Sequence, residues 1–170
     1  MDAIRWMAGL LMVAGVAPGP PGDDARTAPR VYLNHPTART ATLLGVYGAI
    51  ERLNQPWCRE ILADFPGWPG RAIVAQLESD GISLAEYVRA RLWFVDGSDR
   101  DECLKAGPTA AFTGVGHKVV YICPKRVARL AENTKALELL VIHEILHTLG
   151  LPENPPSSGE ITRQVRRRCG

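Results

Sequence analysis

The sequence predicts one α+β domain, in which several helices pack with a small antiparallel β-ribbon. Apolar residues recur at helical spacing before residue 91 and after residue 125, whereas the segment between them has the pattern of strands and turns. Helices followed by a short ribbon and then a central apolar helix are typical of α+β domains. The chain has 170 residues, 46% of them hydrophobic, which is enough for a single core.

The first half of the chain is predicted to be helical. Apolar residues between positions 40 and 53 follow helical spacing. A second helix is expected to begin with Asn54 as its N-cap and Pro56 in its first turn. It would bury one face, formed by Cys58, Ile61, Leu62 and Phe65. A capping box at Ser83 predicts a further helix that continues to about residue 90.

The middle of the chain has the composition of strands. The segment RLWFVDG, residues 91–97, predicts a strand that ends in a turn. The segment AAFTGVGHKVVYIC, residues 110–123, predicts two strands joined by a turn at residues 114–117. We expect these segments to form the β-ribbon.

The segment TKALELLVIHEILHTLG predicts a central helix over residues 134–150. Asn133 is expected to cap its start and Gly150 its end, and Pro152 prevents the helix from continuing. Because the helix is hydrophobic nearly all round, it should be buried. Burial makes its two histidines and one glutamate costly unless they have partners or a function.

Those three residues are His143, Glu144 and His147. Four residues advance about 400° around a helix, so the two imidazoles lie within roughly 40° of each other and converge on one Zn²⁺. Glu144 follows the first ligand directly, and from there its carboxylate reaches a zinc-activated water as general base. The H-E-x-x-H spacing therefore predicts a catalytic zinc centre. The alternative is a pair of satisfied core histidines.

A third protein ligand is expected beyond the helix. Gly150 permits a left-handed conformation that turns the chain, and Glu153 follows three residues later. Its charged carboxylate suits a divalent cation better than the amide of Asn154. Glu160 is the other candidate, but with Ser157 it also matches a capping box for a final helix. The predicted metal ligands are His143, His147 and Glu153.

The full pattern HExxHxxGxxE, from His143 to Glu153, resembles the zinc-binding signature of metzincin-type zincin metallopeptidases. The string LHTLGLPENPPSSGEIT is also similar to a group of small exported bacterial proteins. The resemblance implies a zincin-like fold, a bound zinc ion and hydrolysis of peptide bonds. It also implies that a strand before the active helix, within Phe112–Val115 or Lys118–Ile122, borders the cleft and pairs with an extended substrate.

The chain departs from the metzincin pattern in two ways. The third ligand there is usually His or Asp, whereas this chain has Glu153. No methionine follows Met12, so the methionine turn of that clan is missing. The resemblance therefore implies the zincin class more firmly than metzincin membership.

The N-terminus resembles an export signal. Arg5 precedes an apolar run from Met7 to Ala17, which is too short to span a bilayer but suits a secretory signal peptide. The predicted organisation is a signal peptide over residues 1–17, a Pro-rich linker over 18–30 and one zincin-like catalytic domain over 31–170. It predicts a secreted or periplasmic protein without a stable membrane anchor.

Four cysteines behind an export signal predict two disulfides. Cys103 and Cys123 flank the predicted hairpin and are expected to pair, which leaves Cys58 to pair with Cys169.

We therefore expect a zinc metallopeptidase that acts on a peptide or protein substrate, with Glu144 as general base. The formal net charge of +2 is too small to indicate a nucleic-acid partner. Two alternatives stay open. One is a secreted zinc-binding protein with a structural or inactive site. The other is a different zinc-dependent amidohydrolase, since peptide deformylases pair an upstream cysteine, here Cys103, with H-E-x-x-H.

Overall fold

A computed structural model describes residues 28–170. The predicted signal peptide and most of the predicted linker lie outside these residues. Within residues 28–170 every helix is too short or too polar to span a lipid bilayer.

The described residues form an α+β domain with eight α-helices and one four-stranded sheet. In chain order the elements are β1 (Arg30–Tyr32), α1 (Pro36–Leu53), α2 (Pro56–Arg59), α3 (Gly70–Ser79), α4 (Leu84–Glu86), β2 (Trp93–Asp96), α5 (Asp101–Leu104), β3 (Ala111–Thr113), β4 (Val119–Ile122), α6 (Pro124–Arg129), α7 (Thr134–Thr148) and α8 (Ser158–Cys169). A 3₁₀ turn at Glu60–Ala63 extends α2, and a π-helical turn at Tyr87–Arg91 extends α4.

The sheet is mixed, and this corrects the predicted antiparallel ribbon. Its strand order is β1-β2-β4-β3, with β1–β2 and β2–β4 parallel and only β3–β4 antiparallel. The β3–β4 hairpin and β2 were predicted, but β1 was not. The chain leaves β1 and passes through four helices before β2, and this long connection allows the two strands to pair in parallel.

One face of the sheet belongs to the hydrophobic core. Its buried side chains are Val31, Phe94, Ala111, Val120 and Ile122. Helices α1 and α7 form the most extensive helix–helix contact in the domain. Gly45 of α1 permits this close approach, because a Cβ there would lie 3.1 Å from the Cβ of Leu137. The packing makes α7 the central buried helix, as its apolar sequence predicted.

Asn54 does not cap α2, contrary to our expectation. Its backbone N–H bonds to the carbonyls of Ile50 and Arg52, so it ends α1 instead. Gln55 is the N-cap of α2 and has an extended backbone, with ψ at 134°. The cause is Pro56, since proline disfavours helical backbone angles in the residue before it. The predicted buried face of α2 and its extension is confirmed, because Cys58, Ile61, Leu62 and Phe65 are all buried.

Both predicted disulfides are confirmed. Cys58 bonds to Cys169 across 111 residues of sequence, and Cys103 bonds to Cys123 across 20. The first attaches the last turn of α8 to α2, and its two cysteines are fully buried. The second ties α5 to the end of β4.

Helix α7 has the caps that its sequence predicts. The side chain of Asn133 accepts a hydrogen bond from the Ala136 N–H. At the other end Gly150 has a φ of +95°, the left-handed region. The Gly150 N–H bonds to the His147 carbonyl, and the Leu151 N–H bonds back to the Leu146 carbonyl. This is a Schellman cap, which satisfies two carbonyls of the last turn.

Replacing Gly150 with alanine should destabilise the protein. A Cβ meets no atom within 4 Å there, so the expected cost is conformational. We expect the free energy of unfolding to fall by about 1–2 kcal/mol, measured by urea denaturation. Gly107→Ala is the matched control, since Gly107 also has open space but no left-handed backbone. Equal midpoints for the two variants would contradict this account of the cap.

Candidate metal centre

The C-terminal turn of α7 is held by hydrogen bonds from other elements. The Gly116 N–H donates to the His147 carbonyl at 2.8 Å. Lys118 Nζ and the Tyr87 hydroxyl both donate to the Thr148 carbonyl, each at 3.0 Å. The ammonium of Lys118 also suits the negative end of the helix dipole. These bonds fix the part of the helix that carries the histidines.

The two histidines face each other on α7. His143 and His147 are 7% and 4% exposed, and their Nε2 atoms are 3.1 Å apart. Two nitrogens on one tetrahedral zinc ion, each about 2.0–2.1 Å from the metal, would be roughly 3.3 Å apart. A distance of 3.1 Å is that of a hydrogen bond between the two rings, and it is also close to the spacing that a shared metal ion requires.

The other nitrogen of each ring has its own partner. His147 Nδ1 lies 2.8 Å from the Leu151 carbonyl. A carbonyl only accepts hydrogen bonds, so Nδ1 carries the proton and the lone pair is on Nε2. His143 Nδ1 lies 3.1 Å from the hydroxyl oxygen of Thr162 on α8. Partners of this kind orient metal-binding histidines and fix their tautomer.

Burial keeps His143 neutral. It lowers the pKa of the imidazole to about 4, with a smaller electrostatic contribution from the neighbouring His147. The neutral ring is the form that binds a metal ion.

Glu144 is buried next to this pair, with 3% of its surface exposed. Its Oε2 atom has no hydrogen-bond partner in the described part of the chain. Burial raises the pKa of the carboxyl to about 8, and the negative charge of Glu153 adds to the rise. A buried carboxylate oxygen without a partner is unfavourable in a folded protein, and a bound cation or water would satisfy it.

Glu153 lies on the loop after α7, close to the histidines. Its Oε2 is 3.9 Å from His147 Nε2, and its side chain is 43% exposed. Two left-handed residues, Gly150 and Asn154, shape this loop. Two ligands of one zinc ion are usually roughly 3.3 Å apart, so Glu153 approaches His147 but is not at a ligand's distance from it.

Glu160 has a different role in the structure. Its carboxylate accepts hydrogen bonds from the Ser157 N–H and hydroxyl, both at 2.7 Å. This is the predicted capping box of α8, which is confirmed. These hydrogen bonds also lower the pKa of the Glu160 carboxyl. Of the two candidate third ligands, the fold brings Glu153 towards the histidine pair and engages Glu160 elsewhere.

The donor set fits a zinc ion in part. Within residues 28–170 no group of three or more His, Cys, Asp or Glu side chains already has metal-holding geometry. The two imidazoles converge, their outer nitrogens are bonded, and an acidic oxygen lies close by. The chemistry of these donors is that of a nitrogen- and oxygen-ligated zinc ion.

A cleft of about 780 Å³ opens beside His143 and Glu144. One wall is the start of β3, an edge strand of the sheet, with Ala110 and Ala111. Another wall is α8, which includes Thr162. The cleft therefore connects His143 and Glu144 with solvent next to a strand edge.

Thr162 was missed by the sequence analysis. It is 19 residues from His143, so no local pattern relates the two. The only indication in the sequence was indirect, because Ile161 and Val165 mark the buried face of α8 and Thr162 lies on its flank.

No protein-family model, curated protein or solved structure matches this chain. The interpretation of the site therefore depends on its own geometry.

Replacing Thr162 with valine should loosen the orientation of His143. Valine has the same shape but offers no hydroxyl to Nδ1. We expect the affinity for Zn²⁺ to fall about 10–100-fold, the usual effect of losing such a partner. Competition with a fluorescent zinc chelator would measure it. Thr162→Ser keeps the hydroxyl and should bind zinc as the wild type does. Equal affinities for the valine and serine variants would exclude an orienting role for Thr162.

Proposed function

We propose that this protein is a zinc-dependent metallopeptidase of the zincin type, with His143, His147 and Glu153 as the metal ligands. One observation carries the proposal. Two buried imidazoles bring their Nε2 atoms within 3.1 Å of each other, and the next residue after His143, Glu144, has a buried carboxylate oxygen with no hydrogen-bond partner in residues 28–170. A structural role for the histidines alone leaves that oxygen unexplained.

The protein's own groups have distinct roles in this proposal. A zinc ion held there would act as a Lewis acid and lower the pKa of a water molecule towards about 7. Glu144 would accept a proton from this water while the water oxygen attacks the peptide carbonyl carbon. The same carboxyl then gives the proton to the leaving amine nitrogen as the C–N bond breaks. The position of Glu144 suits it to this work, because its carboxyl is buried at the wall of the cleft and directly follows His143 in the chain.

The cleft supports a peptide as the substrate. An extended peptide adds to a sheet through main-chain hydrogen bonds with an edge strand, and β3 is an edge strand that borders the cleft. The two disulfides support export to an oxidising compartment, where such bonds persist.

The deformylase-like alternative loses its ligand. Cys103 is bonded to Cys123, so it has no thiolate to offer a metal ion. A zinc protein without activity remains the competing hypothesis. It differs from the proposal in what Glu144 does, since a structural site needs no general base.

Replacing Glu144 with glutamine tests the mechanism. The amide has nearly the same shape but cannot accept the proton, so we expect peptide hydrolysis to fall by about 10²–10⁴-fold. Zinc should remain bound, as measured by metal analysis of the purified protein. Glu132→Gln, at an exposed position, is the control and should keep full activity. Undiminished hydrolysis by Glu144→Gln would show that the mechanism is wrong.

The third ligand is tested by comparing Glu153→Ala with Glu160→Ala. Loss of Glu153 removes a donor next to His147, and we expect the zinc affinity to fall by at least about 100-fold, more than a supporting partner contributes. Loss of Glu160 removes a helix cap and should lower stability without changing the zinc affinity. Chelator competition and thermal unfolding separate these effects. Loss of zinc from the Glu160 variant alone would contradict the assignment.

A further inference from the structure

The cleft extends well beyond His143 and Glu144, along α7 towards the start of that helix. Lys135, Leu139 and His143 are four residues apart and therefore lie on one face of α7, and all three line the cleft. At 1.5 Å per residue, Lys135 is roughly 12 Å from His143 along the helix axis.

Helix α8 runs along the same cleft in the opposite direction. Near its start, Thr162 contacts His143. At its end, the carbonyl of Cys169 accepts a hydrogen bond from Arg52, which also pairs with Glu138 near the start of α7. Arg166 lines the cleft one helical turn beyond Thr162, roughly 6 Å further from the histidines.

The cleft has several apolar lining side chains, among them Leu130, Leu139, Leu140 and Val165. Leu139 lies one helical turn before His143 on α7, and Val165 lies three residues after Thr162 on α8. A space of this kind takes an apolar side chain and excludes water from it.

Two cationic side chains also line the cleft. Lys135 and Arg166 both line it and are both exposed. Within residues 28–170 neither of them has an ion-pair partner. Glu144 is the only acidic side chain among the lining residues, and it is buried at the catalytic end. Gly170 also lines the cleft.

We propose that this cleft selects peptides with an apolar side chain next to the scissile bond and a carboxylate two to four residues away. The inference rests on the proposed peptidase function. The spacing follows from helix geometry. Arg166 is roughly 6 Å beyond Thr162 along α8 and Lys135 roughly 12 Å beyond His143 along α7, whereas an extended peptide advances about 3.3 Å per residue. The carboxylate belongs either to an acidic side chain or to the C-terminus of the substrate.

Cleavage of matched peptides tests the selectivity. Quenched-fluorescent peptides with a central leucine carry Glu or Gln at the second, third or fourth position on either side. A second set has a free or an amidated C-terminus at those distances, which separates the two sources of carboxylate. For at least one matched set, the wild type should cleave the carboxylate-bearing peptide with a kcat/KM about fivefold higher than that of its uncharged counterpart. This is the size of effect expected of one partly exposed ion pair.

Variants identify the groups responsible. Arg166→Gln should remove the preference for a carboxylate at the position nearer the scissile bond, and Lys135→Gln should remove it at the farther position. In each case we expect the KM of the carboxylate-bearing peptide to rise about fivefold while kcat stays unchanged. Peptides without the carboxylate should be cleaved equally by all of these proteins. Arg167→Gln is the matched control, because it removes the same charge from the same helix outside the cleft. Equal effects of Arg166→Gln and Arg167→Gln would overturn the proposal.

Binding separates failure of this inference from failure of the proposed function. The Glu144→Gln variant, loaded with zinc, is mixed with the same peptides carrying a fluorophore, and anisotropy gives the dissociation constants. Carboxylate-dependent binding that Arg166→Gln abolishes supports the inference even if the wild type cleaves no peptide. Cleavage by the wild type with no preference for either form of carboxylate overturns the inference and leaves the peptidase function standing.

Discussion

The hydrogen bond from His147 Nδ1 to the Leu151 carbonyl connects the end of α7 to the geometry of the site. It exists because Gly150 turns the chain in the left-handed region, which sends Leu151 back over the last helical turn. The same turn caps the helix and directs the following loop, with Glu153, towards the imidazoles. One backbone conformation thus determines the helix end, the tautomer of one histidine and the approach of the third candidate ligand.

The other histidine depends on distant parts of the chain. Thr162 reaches His143 only because α8 lies against α7, and α8 is fixed at both ends. Its start has the Ser157 capping box, and its last turn carries the buried disulfide from Cys169 to Cys58. Because both sulfurs are buried, a reductant in solution reaches them only when the protein opens. The disulfide therefore acts as a permanent support for the site.

The parts of the fold that sequence predicts well are local. The caps of α7, the capping box of α8 and the left-handed Gly150 each depend on residues within a few positions, and all are present. One local prediction was wrong, since Gln55 and not Asn54 is the N-cap of α2. The other features that sequence could not supply are non-local. The three-residue strand β1 is too short to show a period, and its parallel pairing with β2 depends on four intervening helices. The contact between Thr162 and His143 is of the same kind.

Nearly every polar group in the last turns of α7 has a hydrogen-bond partner, and the exception is the Oε2 atom of Glu144. The His147 and Thr148 carbonyls accept bonds from Gly116, Lys118 and Tyr87. Leaving one buried hydrogen-bond acceptor unsatisfied costs about 1–3 kcal/mol, and more when the acceptor is charged. The neighbouring polar groups are almost all satisfied, so this unsatisfied acceptor stands out. The Oε2 atom of Glu144 carries that cost, one residue from His143 and at the wall of the cleft. Thr42 Oγ1 and Arg89 Nε are also buried without a partner in residues 28–170, but of these three atoms only Glu144 Oε2 belongs to a residue that lines the cleft next to His143. Local conflicts of this kind often persist where function requires them, and this supports the proposed location of the chemistry.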